Sequence, residues 1–237
     1  VGHIVRLLDG LPLAIELAAA RERLLSPAQI ARRLEDRFAL LAGARGGPAR
    51  QATLRAAIDW SWELLAPWER SALAQCAVFE GGFTLEAAEA VLDLTPWPDA
   101  PPAMDVVQSL VDKSLVRAEI TKGAGRTRAA IDEPYFGLYI SIHEYAGEKL
   151  REAGDESATH ERHGRHYATL GSDEALRALN LTGGAARRQA LVLDLDNLVA
   201  ACARALATGR LDVAVDTYAA AFEVLMFRGP LVPADRL

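Results

Sequence analysis

AMDVVQSLVDKSLVRAEI, residues 103–120, and YFGLYISI, residues 135–142, decide the fold. Val106, Val107, Leu110 and Val111 recur at helical spacing, which predicts a helix with these four side chains inward. LVRAEI, residues 115–120, and YFGLYISI then alternate as two strands. The stretch between them, TKGAGRTRAAIDEP at 121–134, is polar and contains glycines, as a hairpin loop does. Three helical patterns precede this unit: TLRAAIDWSWELL (53–65), APWERSALAQCAVFEGGF (66–83) and TLEAAEAVLDL (84–94), the last with Thr84 as its cap. HEYAGEKLREAG, residues 143–154, returns to helix. Helices followed by a two-stranded hairpin are the order of a winged-helix domain, with the helix AMDVVQSLVDKSLV (103–116) in the recognition-helix place and 121–134 as the wing.

The flanks extend this reading. On the N-terminal side, LLDGLPLAIELAAARERLLS, residues 7–26, places a hinge between two helices. Gly10 suits the residue just past a helix end, and Pro12 suits the first turn of the next, which is expected to run to about Leu25. Ser26 and Pro27 start another helix, with Ile30, Leu34, Phe38 and Leu41 on its inner face. AGARGGPARQA, residues 42–52, is a linker. Downstream of about Glu156 the chain is helical again. AARRQALVLDLDNLVAACARALATG (185–209) and LDVAVDTYAAAFEVLMFRG (211–229) resemble a helical hairpin broken at Gly209. The expected fold is mainly α: a small helical domain at 1–48, a winged-helix domain at 52–153 and a helical, TPR-like repeat region at 154–237.

Composition narrows the function classes. The chain of 237 residues is 51% hydrophobic and 24% charged, with a net charge of -6. That balance is globular, and its acidity argues against a protein that coats nucleic acid. Cys76 and Cys202 sit in apolar helical patterns and are expected to be small buried hydrophobes. No stretch near twenty apolar residues and no signal peptide is present, so no membrane partner and a cytoplasmic location are expected. No G-x-x-x-x-G-K-[ST] occurs, and KGAGRT at 122–127 has the wrong spacing and the wrong context. The chain by itself is therefore expected to be no enzyme and to carry no metal or cofactor.

Three smaller clusters were weighed. His160, His163 and His166 drift around a helix and are expected on a solvated, partly packed polar face, not at a metal. Trp60, Trp62 and Trp68 are expected in core or inter-domain packing, with a partner surface as the alternative. The helix at 103–116 carries Asp105, Gln108 and Asp112 against Lys113, an acidic surface for a base reader. DNA contact is thus the rival reading, carried by Lys122, Arg126 and Arg128 on the wing.

The stretches from Leu7 to Leu65, together with AVFEGGFTLEAAEAVL and SLVDKSLVR, resemble bacterial STAND-type (AP-ATPase-like) signalling ATPases and transcriptional regulators. The resemblance is dense from Leu7 to Arg117 and looser beyond. It implies a P-loop domain in an intact parent, followed by helical, winged-helix and superhelical repeat domains. It also implies that the GLPL hinge lies beside ADP or ATP with Mg, so that Gly10, Leu11 and Pro12 touch the nucleotide. On residue chemistry alone, Pro12 is a routine helix-starting proline and Leu11 is core. The family's Met-His-Asp motif is absent, and Leu138, Tyr139 and Ile140 stand in its place. Tyr139 can donate a hydrogen bond there but carries no positive charge. The expected role is regulatory: closing over nucleotide held by the parent's own upstream domain, with a protein partner or self-assembly at the helical repeats. A pure interaction scaffold is the other alternative.

Overall fold

The computed structural model describes residues 2–8, 12–22, 24–41, 49–119 and 134–228. Gly10, Leu11, the wing residues Lys122, Arg126 and Arg128, and most of the 42–52 linker lie outside the described residues.

The chain is mainly helical. Helices α1 (Gly2–Leu7), α2 (Pro12–Ala19), α3 (Pro27–Leu41) and α4 (Ala49–Glu63) form the first group. Helix α2 ends at Ala19, six residues short of the expected end, and turns carry the chain to Ser26. Ser26 and Gln29 exchange hydrogen bonds at the start of α3, the Gln29 N–H to Ser26 Oγ and the Ser26 N–H to Gln29 Oε1. This reciprocal cap satisfies two donors that a helix start leaves open. Helix α4 begins within the predicted linker, at Ala49.

The second group is α5 (Pro67–Gln75), a 3₁₀ turn (Cys76–Val78), β1 (Phe83–Thr84), α6 (Leu85–Val91), α7 (Ala103–Asp112), β2 (Arg117–Glu119), β3 (Tyr135–Gly137) and α8 (Ile140–Ala153). Thr84 caps α6 by accepting from the Ala87 N–H at 3.1 Å. Val106, Val107 and Leu110 of α7 are buried as expected, and Val111 is half-buried. The sheet has three strands in the order β1-β3-β2, all antiparallel, with Phe83 opposite Phe136 and Ala118 opposite Phe136 on the other side. A strand before the second and third helices that later pairs with the far arm of a hairpin is winged-helix topology. The sequence reading missed β1, because two residues are too short to show a period. It also extended β3 by five residues, to Ile142: Tyr139 is extended (φ -68°, ψ 147°) but α8 starts at Ile140.

The third group is α9 (Glu156–Thr169), α10 (Asp173–Ala178), α11 (Gly184–Leu193), α12 (Leu195–Ala207) and α13 (Leu211–Arg228). The stretch 185–209, expected as one helix, breaks at Asp194. Gly209 (φ +73°) turns α12 into α13. Gly171 lies against the Asp216 carbonyl, where a Cβ would collide with backbone.

One buried cluster runs from Leu8 to Val224 and includes side chains of all three groups. Its aromatic centre is Phe79 stacked on Phe83 (4.4 Å), Phe83 on Phe136 (5.8 Å), and His163 tilted against Phe79 (5.6 Å). Burying side chains of this size contributes roughly 1.5–3 kcal/mol each. His163 is therefore not on a solvated face: it is 0% exposed. Helix α9 packs against α6, α12 and α13, which buries His163 while His160 and His166 stay half-buried and Glu161 and Arg165 remain exposed. Trp60 is buried, and Trp62 and Trp68 pack on the core, Trp62 edge-on to Tyr145 at 5.6 Å.

Buried Asn197 of α12 ties the second and third groups together. Its Oδ1 accepts from the Glu80 N–H at 2.7 Å and lies 3.2 Å from His163 Nε2, while its Nδ2 donates to the Gly82 carbonyl at 2.7 Å. Asn197→Leu would leave those loop groups without partners in a dry site. A loss of about 2–4 kcal/mol in unfolding free energy is expected, read by urea denaturation.

Asp194 and His163 give opposite pH signatures. Burial pushes the Asp194 carboxyl up to about 7, against hydrogen bonds from Tyr167, Tyr135 and Asn197 that lower it. Burial likewise pulls His163 down to about 3. As pH rises from about 4 to 7, the unfolded chain gives up a proton that folded Asp194 retains, so stability is lost. Over nearly the same window His163 adds stability as pH rises. Asp194→Asn removes the first slope, so its stability relative to the parent chain should climb with pH from about 4 to 7, by at most about 1.4 kcal/mol per pH unit, and level off above. Denaturation midpoints across that range check it.

Candidate functional site

Helix α7 occupies the recognition-helix place. Its outward residues are Met104, Asp105, Gln108 and Asp112, all exposed. Gln108 Nε2 donates to Asp112 Oδ1 at 2.9 Å, so the side chain best suited to an adenine edge is already engaged. Lys113, at the helix end, does not offset this acidity outward. Its ammonium bonds to Glu69 of α5, a carboxylate only 7% exposed. Ser109 Oγ donates to the same Glu69 oxygen at 2.7 Å, and the Ala66 N–H donates to the other at 2.8 Å. Burial alone would push Glu69 up, but these three donors hold it below its ordinary value. The face that would meet bases therefore presents two carboxylates and no cation among its described residues.

A second constellation forms where α2 meets the sheet. Pro12 is exposed at the start of α2, while Ala14, Leu17 and Ala18 are buried against α4. One turn on from Pro12, Glu16 accepts a hydrogen bond from the Tyr139 hydroxyl, 3.1 Å away at Oε2. The Arg117 guanidinium of β2 lies 5.0 Å above the Tyr139 ring. Burial first, then Glu16, raises the Tyr139 hydroxyl above its ordinary pKa; Arg117 opposes this. Pro12 and Tyr139, singled out separately in the sequence, thus belong to one surface, joined through Glu16. His143 is elsewhere: its Nε2 lies 3.0 Å from the Phe79 carbonyl.

Beneath this surface Arg21 is 2% exposed. Its guanidinium reaches the Ser61 carbonyl at 3.4 Å, while its Nε and the Ser61 hydroxyl have no hydrogen-bond partner among the described residues. Burial lowers its pKa, against the attraction of Glu69. A cation so weakly partnered makes the α2–α4 contact less stable than its apolar area implies.

The third group holds a cleft of about 380 Å³ lined by His160, Glu161, Arg204 and Arg210, among others. Its cations already have protein partners: Arg204 donates to the Val78 carbonyl (2.9 Å) and Glu80 (3.1 Å), and Arg210 to Glu161 (3.0 Å). Among the described residues no group of three or more His, Cys, Asp or Glu side chains could hold a metal. No described helix is long and apolar enough to cross a membrane.

Glu69, Glu16, Arg21 and Asn197 were not singled out from the sequence. Glu69 is the carboxylate half of a capping box, but Ala66 stands where the serine or threonine of that motif belongs. The others have no local signature, since their partners lie 34 to 123 residues away.

Lys113→Met would strand the Glu69 carboxylate in a mostly dry setting. It is expected to cost about 2–3 kcal/mol of stability, while Glu69→Gln combined with it recovers part of that loss. A double-mutant cycle by chemical denaturation measures both.

No family model matches the chain. Over 174 residues, 72% of its length, it is 46% identical to the "Putative HTH-type transcriptional regulator Rv0890c" of Mycobacterium tuberculosis, of which it covers 18%. A Mycobacterium bovis protein with a corresponding name matches equally. Over 167 residues, 70% of the chain, it is 42% identical to "Uncharacterized protein Rv0894" of M. tuberculosis, covering 40% of that protein. The chain thus spans well under half the length of each of these relatives, and is similar to a segment of a larger protein named as an HTH-type transcriptional regulator.

Proposed function

We propose that this chain is a regulatory segment of a DNA-binding transcriptional regulator, and that its winged-helix module faces protein instead of bases. The observation that carries the first half is the 46% identity, over 174 residues, to a protein named as an HTH-type transcriptional regulator. The winged-helix strand order agrees with it. The second half rests on α7, whose outward carboxylates repel a phosphate backbone and whose lysine is bound to Glu69. DNA is then a partner of the longer protein, reached through an element other than α7.

Duplex binding measured by fluorescence anisotropy at rising salt tests both halves. The longer protein is expected to bind duplex, and to do so equally well with Lys122, Arg126 and Arg128 changed to alanine. The 237-residue chain alone is expected to show no salt-steep binding. Tight, salt-steep binding by the chain, lost on neutralising those three wing residues, would make this module itself the DNA reader.

A second reading concerns nucleotide. We propose that in the longer protein the exposed Pro12 edge of α2 closes on an adenine nucleotide held by another domain, with the Tyr139–Glu16 bond transmitting that contact to the sheet. Its support is that Pro12 is open to a neighbour and that Tyr139, which stands where the STAND-type resemblance would put a phosphate-sensing histidine, bonds to Pro12's own helix. Any hydrolysis would need a P-loop from outside this sequence. Pro12→Ala and Tyr139→Phe in the longer protein are expected to change ADP and ATP affinity. Unchanged affinity for both, by calorimetry, would overturn this reading.

A further inference from the structure

Helix α13 is packed inside out. Its buried side, facing α9 and α12, is built of small residues: Val213, Ala214, Thr217, Ala220, Ala221 and Val224. Its outward side carries the large ones. Leu211 is 65% exposed, Val215 65%, Tyr218 51%, Phe222 42% and Met226 60%, and Leu206 of α12 adds 59%. The Tyr218 and Phe222 rings are already stacked on each other at 6.1 Å and 22°. Together the five residues of α13 leave on the order of 550 Å² of largely apolar surface open, at the upper end of the largest patch on a typical monomer and an appreciable share of the ~800 Å² per partner of a standard interface.

The stripe is also nearly palindromic. Laid antiparallel on a copy of itself, with a two-fold axis beside Tyr218, α13 sets Leu211 against Met226 and Val215 against Phe222. The first pairing joins two side chains of like volume and the second a smaller to a larger one, and the two tyrosines meet at the centre. That self-complementarity is what an isologous interface requires. Val215, Tyr218 and Phe222 also follow the alternating three- and four-residue spacing of a helix-pairing seam.

We propose that the outward face of α13 binds the same face of a second copy of this chain, as an antiparallel two-helix contact centred on Tyr218. This goes beyond the regulatory reading and stands on different residues. Sedimentation velocity of the 237-residue chain across micromolar concentrations is expected to show a reversible dimer. Tyr218→Glu or Phe222→Glu should weaken it by about thirtyfold or more, as loss of a central anchor does, with helical circular dichroism unchanged, and with the melting temperature unchanged at concentrations low enough that the parent chain is itself monomeric, because both side chains are outside the core. Tyr218→Cys should form a disulfide-linked dimer on mild oxidation, since Cys76 and Cys202 are buried. A chain that stays monomeric and leaves Tyr218→Cys unlinked overturns the proposal and assigns the stripe to a helix of another protein or of the longer one. A dimer indifferent to both glutamate variants overturns it as well.

Discussion

The structure depends on how the loop from Glu80 to Gly82 is held. Gly81 and Gly82 take positive φ values of 76° and 130°, and a Cβ on Gly82 would lie 2.6 Å from the Phe136 carbonyl. This lets the backbone approach β3 closely enough for Phe83 and Thr84 to pair as a strand. Two paired residues are too few to hold themselves in water. The buried Asn197 amide holds them from the other side, by taking the Glu80 N–H and the Gly82 carbonyl. The winged-helix sheet and the C-terminal helices are therefore parts of one packing problem. Tyr135 of β3 adds to this by donating to the Leu193 carbonyl at 3.0 Å.

Electrostatics then separates the module's shape from what that shape often does. A helix in the recognition place needs cations or amides turned toward the groove. Here the nearby cation is drawn inward, because Glu69 sits in the first turn of α5 with its carboxylate nearly dry. An unpaired carboxylate there would be costly, so Lys113 is held to it. The outward face keeps Asp105 and Asp112. Topology and charge point to different conclusions, and charge decides which surfaces nucleic acid can approach.

The N-terminal helices reach the same module by two routes of different character. Ala14, Leu17 and Ala18 give α2 an ordinary apolar contact. Arg21 puts a nearly dry guanidinium beside it, and Tyr139–Glu16 adds a partly exposed hydrogen bond worth little in stability.

The helices were legible in the sequence because apolar residues such as Val106, Val107 and Leu110 recur at a period that any helix must respect. Thr84 and Gly209 marked ends for equally local reasons. The existence of the β2–β3 hairpin was legible too, since strands around a polar loop follow from alternation. Strand β1, the break at Asp194 and the burial of His163 were not. A two-residue strand has no period, and His160, His163 and His166 look alike until α6, α12 and α13 surround α9. Glu69, Asn197 and Tyr139 acquired their partners only on folding, across 40 to 123 residues of chain. Local periodicity determined most of the helical segments but not every start, since α4 begins at Ala49 and α8 at Ile140. Which polar side chain is dry, and what it must therefore bond to, was decided by tertiary packing, because desolvation is a property of all the neighbours at once.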